Sequence, residues 1–177
     1  MKRWLGFATA TATLTLSGAA MAQFSSTRLD ATPYDFSFRA GVVVPWDSDL
    51  RDIADSWIGI GIDYTFTKQF IRGSETFFSL DMITKSSQFQ RGTYWPILLN
   101  QRFYFGQYED EKRTYAIIGA GVVVVDVVSS DTVFGGRLGF GVELGPNMFL
   151  ELNNFLSAAS TGSITTNSSG LYLGYRF

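Results

Sequence analysis

The chain has 177 residues, enough for one domain with a sizeable core, and carries 14 basic against 16 acidic side chains. This slightly acidic balance, without a basic run, excludes a nucleic-acid surface built from clustered Lys and Arg. The absence of Cys excludes a disulfide framework and a thiolate metal site, and the absence of His removes the general base of most hydrolase triads. Composition therefore favours a protein with no catalytic site, no metal site and no cofactor.

The amino terminus has the pattern of a cleavable secretory signal peptide. A positively charged n-region precedes residues 4–16, a moderately apolar segment that is too short for a membrane-spanning helix. Ala20-Met21-Ala22 then forms an A-x-A cleavage site. We predict a signal peptide over residues 1–22 and, after it, a short polar periplasmic arm over residues 23–33.

Residues 34–177 contain eight segments in which apolar side chains alternate with Gly or polar side chains. The segments run over residues 34–46, 57–67, 76–84, 94–105, 115–125, 133–144, 148–156 and 170–177. Alternation with period two is the pattern of a strand whose two faces meet different surroundings. An even number of short segments, with aromatics at 16% and 18 Gly, is typical of a barrel that crosses a membrane. We predict an all-β fold, an eight-stranded antiparallel up-and-down transmembrane β-barrel.

Aromatic residues cluster near the ends of these segments, on the face predicted to be outside. Rings prefer the membrane interface because they combine an apolar body with tolerance of a polar surround. The predicted aromatic girdle comprises Tyr34, Trp46, Tyr64, Phe66, Trp95, Phe103, Phe105 and Phe134. An even strand number also predicts that both chain termini lie on the same, periplasmic, side of the membrane.

Alternation also places four basic and four acidic side chains on the face predicted to be inside. These are Arg39, Asp63, Asp81, Arg102, Arg137, Glu143, Glu151 and Arg176. An eight-stranded barrel has room for little more than its own side chains, so charges inside it have to pair. We predict a charge network that packs the lumen. One alternative is a gated path for ions or small solutes, because rearranged pairs could open a pore. The other is a catalytic pair of carboxylates.

A few residues do not follow this simple pattern. Gln101 and Asn154 fall on the outward face, and a register shift or a β-bulge would be needed to turn either one inward. The connection over residues 47–56 carries four carboxylates but lacks the Gly and terminal Glu of an EF-hand loop. We interpret it as a solvated loop rather than a calcium site.

Together these features resemble the small eight-stranded outer-membrane β-barrels of bacteria, the class of the OmpA transmembrane domain and OmpX. The A-x-A site, the eight segments, the inward glycines and Tyr175-Arg176-Phe177 carry the resemblance. Proteins of this class typically end in Phe, so the resemblance implies that Tyr175 and Phe177 form an assembly signal. It also implies a monomer in the bacterial outer membrane, surrounded by lipid, with the barrel-assembly machinery and periplasmic chaperones as partners during biogenesis.

The resemblance predicts architecture more specifically than function, because barrels of this class serve as structural proteins, adhesins, channels and enzymes. Without His, this chain lacks the usual base of the enzymes, and we expect a structural role with a filled lumen. A narrow channel remains one alternative. The other is a secreted soluble lipocalin-like barrel, which would turn its apolar face inward around a ligand.

Overall fold

The computed structural model describes residues 34–67, 74–86, 91–105, 113–127, 130–160 and 163–177. The predicted signal peptide over residues 1–22 and the predicted arm over residues 23–33 lie outside the described residues. The elements in chain order are β1 (Phe36–Pro45), α1 (Ser48–Ile53), β2 (Trp57–Thr67), β3 (Ser74–Ser86), β4 (Arg91–Phe105), β5 (Thr114–Asp126), β6 (Ser130–Glu143), β7 (Met148–Ser157) and β8 (Ser168–Arg176).

The eight strands form one closed sheet in which each strand pairs antiparallel with its neighbours in sequence. The pairing of β1 with β8 closes the barrel, from Ser37 opposite Arg176 to Pro45 opposite Ser168. Closure leaves no strand edge without a partner, which a sheet in lipid requires. The predicted fold class, an all-β eight-stranded up-and-down barrel, is confirmed.

The two faces of the strands differ as alternation predicts. Along β1, Phe36, Phe38 and Val42 are exposed on the outer surface, whereas Ser37 and Arg39 are buried. The same pattern continues around the barrel to β8, where side chains alternate between buried and exposed from Ser168 to Arg176. Since backbone pairing places successive side chains on opposite faces, the buried set fills the interior.

Strand ends extend further than the hydrophobic pattern indicates. β3 begins at Ser74 and ends at Ser86, and β6 begins at Ser130, in stretches that the pattern predicts to be connections. The terminal residues of these strands are mostly polar, but the backbone ladder still pairs them, as in the pair formed by Asp126 and Ser130. Hydropathy identifies the part of a strand that faces an apolar environment, whereas backbone hydrogen bonding decides where the strand ends.

The connection over residues 47–56 is not simply a solvated loop, because it contains the six-residue helix α1. Asp47 caps this helix by accepting a hydrogen bond from the Asp49 N–H at 3.0 Å. Leu50 is fully buried beneath the helix, in the apolar cluster at this end of the barrel. We call this end the loop end and the opposite end, where Tyr34 and Phe177 lie, the terminal end. Among the described residues, no helix has the length and apolar character needed to cross a membrane.

Candidate functional site in the barrel interior

All eight charged residues predicted for the lumen are buried in the barrel interior, each at most 6% exposed. Two further charged residues, Glu75 and Arg113, are buried with them, at 1% exposure each. The described part of the chain therefore places five arginines and five carboxylates inside the barrel. Because burial of an unpaired charge is costly, the arrangement of these ten groups determines what the interior can do.

Arg39 holds two carboxylates from neighbouring strands. Its Nη1 donates to Asp63, and its Nη2 donates to both carboxylate oxygens of Asp81, at 2.7 and 2.8 Å. The Ser37 hydroxyl donates to the second oxygen of Asp63 at 3.0 Å. This group ties β1 to β2 and β3 through side chains as well as through the backbone ladder.

Arg102 lies between this group and the rest of the network. Its Nη1 donates to Glu75 at 3.2 Å, and its Nη2 is 3.7 Å from carboxylate oxygens of both Asp63 and Glu151. The Tyr104 hydroxyl donates to the same Glu75 oxygen at 2.7 Å. One guanidinium, with several N–H donors in a planar fork, thus contacts carboxylates from three strands.

Glu151 accepts hydrogen bonds from side chains of β5, β6 and β7. Arg137 donates to one of its oxygens from Nη2 at 2.7 Å, and the Tyr115 hydroxyl donates to the other at 2.9 Å. The Asn153 amide donates to Glu151 at 3.1 Å and accepts from Arg137 Nε at 2.9 Å. Arg39, Arg102 and Arg137 with their carboxylates therefore form one network that spans the lumen.

A second, smaller group closes the terminal end. Arg113 donates to both oxygens of Glu143, at 2.9 Å from Nε and 3.0 Å from Nη2. Arg176 donates to the same carboxylate from Nη1. Glu143 thus pairs with two arginines, one of which precedes β5 and the other of which ends β8.

Apolar clusters lie against the network along the barrel axis. Toward the loop end, twelve buried side chains, among them Trp57, Tyr94 and Phe155, form one cluster. Toward the terminal end, Phe77, Tyr104, Tyr115, Ile117 and Phe149 form another. The Arg102 guanidinium lies over the Phe77 ring, 4.4 Å from its centroid, so the charge network is in direct contact with this aromatic cluster. The interior is packed by side chains along the length of the barrel.

Inward glycines provide the space for these large side chains. A Cβ at Gly141 would lie 2.3 Å from the Tyr115 ring, and one at Gly174 would lie 2.0 Å from the Phe149 ring. Both distances are far below van der Waals contact, so a larger residue at either position requires the ring to move. The ring and the glycine occupy neighbouring strands at the same level of the barrel.

Glu75 and Arg113 are the interior charges that sequence reasoning missed. The hydrophobic pattern places both in connections, Glu75 in residues 68–75 and Arg113 in residues 106–114. A usable signal is nevertheless present, because position 75 shares its parity with the inward Asp81, and position 113 shares its parity with the inward Tyr115. Extending each strand pattern by one inward position includes both residues.

The predicted girdle residues lie near strand ends on the outer surface. Trp46, Tyr64, Phe66, Phe105 and Phe134 are between 46% and 68% exposed, whereas Tyr34, Trp95 and Phe103 are partly buried. The predicted assembly-signal residues Tyr175 and Phe177 are 50% and 64% exposed, with their rings stacked 6.4 Å apart. Tyr175 and Phe177 lie at the terminal end with Phe36, which packs 4.9 Å from Tyr64, whereas Trp46 and Phe134 lie toward the loop end.

Gln101 and Asn154 stay on the outer face, and no register shift or bulge turns them inward. Strand pairing is continuous through both, with Gln101 opposite Thr76 and Asn154 opposite Ser169. Each amide instead has lateral partners. Gln101 accepts from the Thr76 hydroxyl at 2.8 Å, and Asn154 accepts from the Ser169 hydroxyl at 2.7 Å. Hydrogen bonding along the outer surface therefore reduces the cost of placing these amides there.

Nothing in the described ranges brings three or more His, Asp or Glu side chains together as metal ligands. The carboxylates of the interior are instead engaged by arginines and tyrosines. This chemistry favours a packed, neutralised core over a metal centre.

Comparison with known proteins identifies the architecture. No protein-family model and no curated protein matches the sequence. The structure is similar to the N-terminal β-barrel domain of Pseudomonas aeruginosa OprF, with a TM-score of 0.55 and 14% identity over 84% of this chain and 100% of that chain. It is also similar to Neisserial surface protein A, with a TM-score of 0.55 and 13% identity over 83% of this chain and 97% of that one. A third similar structure is the outer membrane enzyme PagL, with a TM-score of 0.55 and 12% identity over 79% and 97%. The chain therefore has the fold of the small eight-stranded outer-membrane β-barrels.

Proposed function

We propose that the protein is an integral β-barrel of a bacterial outer membrane, with a structural role based on a filled, charge-paired lumen. The observation that carries the proposal is the orientation of the side chains. Large apolar residues face outward, as at Phe134 with 68% exposure and Ile58 with 59%, while ten charged groups pair inside. This is the arrangement that a barrel surrounded by lipid requires.

The same orientation argues against the secreted lipocalin-like barrel. That alternative needs Val122 and Leu173 to line a central cavity, but they are 41% and 49% exposed on the outer wall. A soluble protein rarely exposes so large a continuous apolar surface, because the surface would drive association in water.

The packed interior argues against the narrow channel. Arg102 contacts carboxylates on three strands, and apolar clusters lie on both sides of the network along the axis. A conducting path would require several buried pairs to separate together, and each separation exposes an unpaired charge. The proposal therefore assigns the network to stability of the barrel.

No catalytic role is part of the proposal. PagL is named an enzyme and has a similar fold, but one fold hosts many functions and activity has to be argued from a site. The chain has no His, and the interior carboxylates are paired with arginines. In the proposed orientation, the terminal end faces the periplasm and α1 lies on the extracellular side. The proposed partners are the lipid of the membrane and, during biogenesis, the barrel-assembly machinery and periplasmic chaperones.

Two measurements test the proposal. In cells, the protein should be found in the outer-membrane fraction, and its gel migration should shift on heating because a folded barrel resists detergent. In planar bilayers, the purified barrel should show no discrete openings. Recovery in a periplasmic extract without a heat-dependent shift would favour the soluble barrel. Reproducible openings that change in Glu151→Gln would favour the channel.

A further inference from the structure

The outer wall of the barrel carries a groove that the charge network does not explain. The groove has a volume of about 520 Å³ and crosses β2 to β5 on the terminal half of the barrel. Its lining includes Phe66, Thr76, Leu99, Gln101, Ile118 and Ala120. Sites for small organic molecules typically have volumes of ~300–1,000 Å³, so the groove is large enough for part of a lipid.

A change from large to small outward side chains creates the groove. Leu99 and Ile118 are each 53% exposed and stand out from the wall. Ala120 is the partner of Leu99 on β5 and the next outward residue after Ile118. Its own partner on β6 is Gly136, a residue without a side chain. Ala120 and Gly136 therefore leave two adjacent outward positions without a large side chain, whereas the outward Ala40 on β1 lies between Ile60 and Leu173.

The groove rises from the terminal end toward the middle of the wall. Phe66 is the penultimate residue of β2, and Thr76 is the third residue of β3, so both lie close to the terminal end. Gln101 lies four residues before the end of β4 at Phe105, and Ala120 lies six residues after the start of β5 at Thr114. Thr76 pairs with Gln101, and Leu99 pairs with Ala120 two residues further along the strands, so the groove extends from near the terminal end toward the middle of the wall.

Polarity changes along the same path. The part nearer the interface holds Thr76 and Gln101, and the part nearer the middle of the wall is formed by Leu99 and Ala120. The Gln101 amide is oriented, because its oxygen accepts from Thr76 at 2.8 Å and its nitrogen donates to Ser74. An amide nitrogen has two N–H groups, and Ser74 takes one of them. An oriented amide next to an apolar stretch of the groove is complementary to a molecule that has an ester near the interface and a hydrocarbon chain beyond it.

We propose that this groove binds one acyl chain of a phospholipid from the periplasmic leaflet. The chain lies against Leu99, Ile118 and Ala120, and the glycerol ester lies beside Thr76 and Gln101. This inference rests on the proposed function, because it requires the terminal end to face the periplasmic side of a membrane. Phospholipid is the occupant because the groove opens to the hydrocarbon region and combines an ester-sized polar step with an apolar run. A bound phospholipid restores the surface that the small residues leave recessed.

Photocrosslinking tests the site in the wild-type barrel. The full chain is reconstituted in phosphatidylethanolamine–phosphatidylglycerol vesicles containing a phosphatidylethanolamine with a diazirine in the acyl chain, and labelled residues are mapped by mass spectrometry. Leu99, Ile118 and Ala120 should be labelled about tenfold more than Leu152 and Leu171 on β7 and β8, as for a binding preference of ~1.4 kcal/mol. Uniform labelling of the outer wall would overturn the proposal that the groove binds phospholipid, but not the proposal that the protein is a membrane barrel. The absence of labelling on every wall, with no heat-dependent gel shift, would instead overturn the proposed function.

Matched variants then separate the groove from general contact with lipid. Ala120→Phe fills the groove, whereas Ala40→Phe enlarges an outward alanine on β1, between Ile60 and Leu173. Gln101→Leu removes the amide from the groove, and Asn154→Leu removes an outward amide on β7. In native mass spectrometry after detergent extraction, Ala120→Phe and Gln101→Leu should each retain about tenfold less phospholipid than the matched control variant. The inference would be overturned if the two variants of either pair retained equal amounts of phospholipid. It would also be overturned if the barrel retained lipopolysaccharide, or bound a second copy of the chain, in place of phospholipid. The wild-type crosslinking decides the question if a variant fails to fold.

Discussion

Arg39 donates from one terminal nitrogen to both carboxylate oxygens of Asp81, at 2.7 and 2.8 Å, and neither side chain is exposed. Removal of one partner leaves the other charge buried and poorly compensated, which costs about 3–5 kcal/mol. We expect Asp81→Asn to lower the free energy of unfolding by about 3 kcal/mol, the lower end, because Asp63 still pairs with Arg39. Urea unfolding of the barrel in phospholipid vesicles measures this change.

A double variant distinguishes loss of the pair from a general effect of substitution. Arg39→Met with Asp81→Leu removes both charges and keeps apolar volume in the interior. Arg39→Met alone and Asp81→Leu alone give the two single losses in the free energy of unfolding. If the two side chains interact as the distances indicate, the loss in the double variant should be smaller than the sum of the single losses, by about 0.5–3 kcal/mol. Purely additive losses would show that the pair contributes no specific interaction.

Gly174 and Phe149 form a steric pair in neighbouring strands. A Cβ at position 174 would lie 2.0 Å from the Phe149 ring, so the ring has to leave its position in the terminal cluster. Overpacking of this kind costs about 1–3 kcal/mol. We expect Gly174→Ala to lower the free energy of unfolding by that amount in the same urea experiment.

The compensating change is on the ring. Phe149→Leu shortens the side chain that the new methyl group would meet, and in the Gly174→Ala background it should recover part of the lost stability. In the wild-type background the same change should destabilise, because it leaves a cavity. If Phe149→Leu destabilises both backgrounds equally, steric conflict is not the reason that position 174 is a glycine.

The strand number and the direction of each side chain are predictable from the sequence, because period-two alternation relates directly to the two faces of a strand. Alternation alone therefore places Arg39, Asp81 and Glu151 inside the barrel. The pairing between these side chains is not predictable in the same way. Whether Arg102 meets Asp63, Glu75 or Glu151 depends on the stagger of four strands and on side-chain conformations, neither of which alternation encodes.

Other features escape the pattern because they carry little hydrophobic signal. α1 has a single buried residue, Leu50, and the helix is held by a cap and by the packing of Leu50 in the apolar cluster of the barrel. The outer groove lies where Ala120 pairs with Gly136, two small residues that are acceptable in any strand pattern. Glu75 resembles part of a connection because a charged residue next to a polar run looks solvated, although the strand continues through it.

Glu75 allows charge pairing to be separated from hydrogen bonding. It accepts from Arg102 Nη1 at 3.2 Å and from the Tyr104 hydroxyl at 2.7 Å. Glu75→Gln keeps the shape but removes the charge that neutralises Arg102, whose other carboxylate contacts are 3.7 Å long. We expect a loss of about 3–5 kcal/mol in the free energy of unfolding.

Tyr104→Phe is the matched control, because it removes only the hydroxyl that donates to the same oxygen. The expected loss is about 1 kcal/mol, the typical net value of a hydrogen bond, or up to ~3 kcal/mol if the charged acceptor dominates. A loss for Glu75→Gln no larger than that for Tyr104→Phe would show that the charge of Glu75 is unimportant to Arg102.

Asp47 connects α1 to the last loop of the barrel and should make this connection depend on pH. Its carboxylate accepts from the Thr165 N–H at 2.9 Å, from the Thr165 hydroxyl at 2.8 Å and from the Asp49 N–H. Partial burial acts to raise the pKa of this carboxyl, but these hydrogen bonds outweigh burial and hold the pKa below its usual value. The folded state therefore binds this proton less readily than the unfolded state does.

A lowered carboxyl pKa stabilises the structure at pH values above the unfolded pKa of about 3.9, and the contribution is lost as the pH falls through the folded value. At pH 7 we expect Asp47→Ala to speed hydrogen exchange in α1, corrected for intrinsic rates, by an amount equivalent to roughly 1 kcal/mol of cap energy. Below the folded pKa the difference from wild type should shrink, because the wild-type carboxyl is then protonated. Asp52→Ala, at an exposed carboxylate on the same helix, should leave exchange near the wild-type rate at both pH values. A difference between Asp47→Ala and wild type that stays constant from pH 7 to pH 2 would mean that the charge of Asp47 does not hold α1 in place.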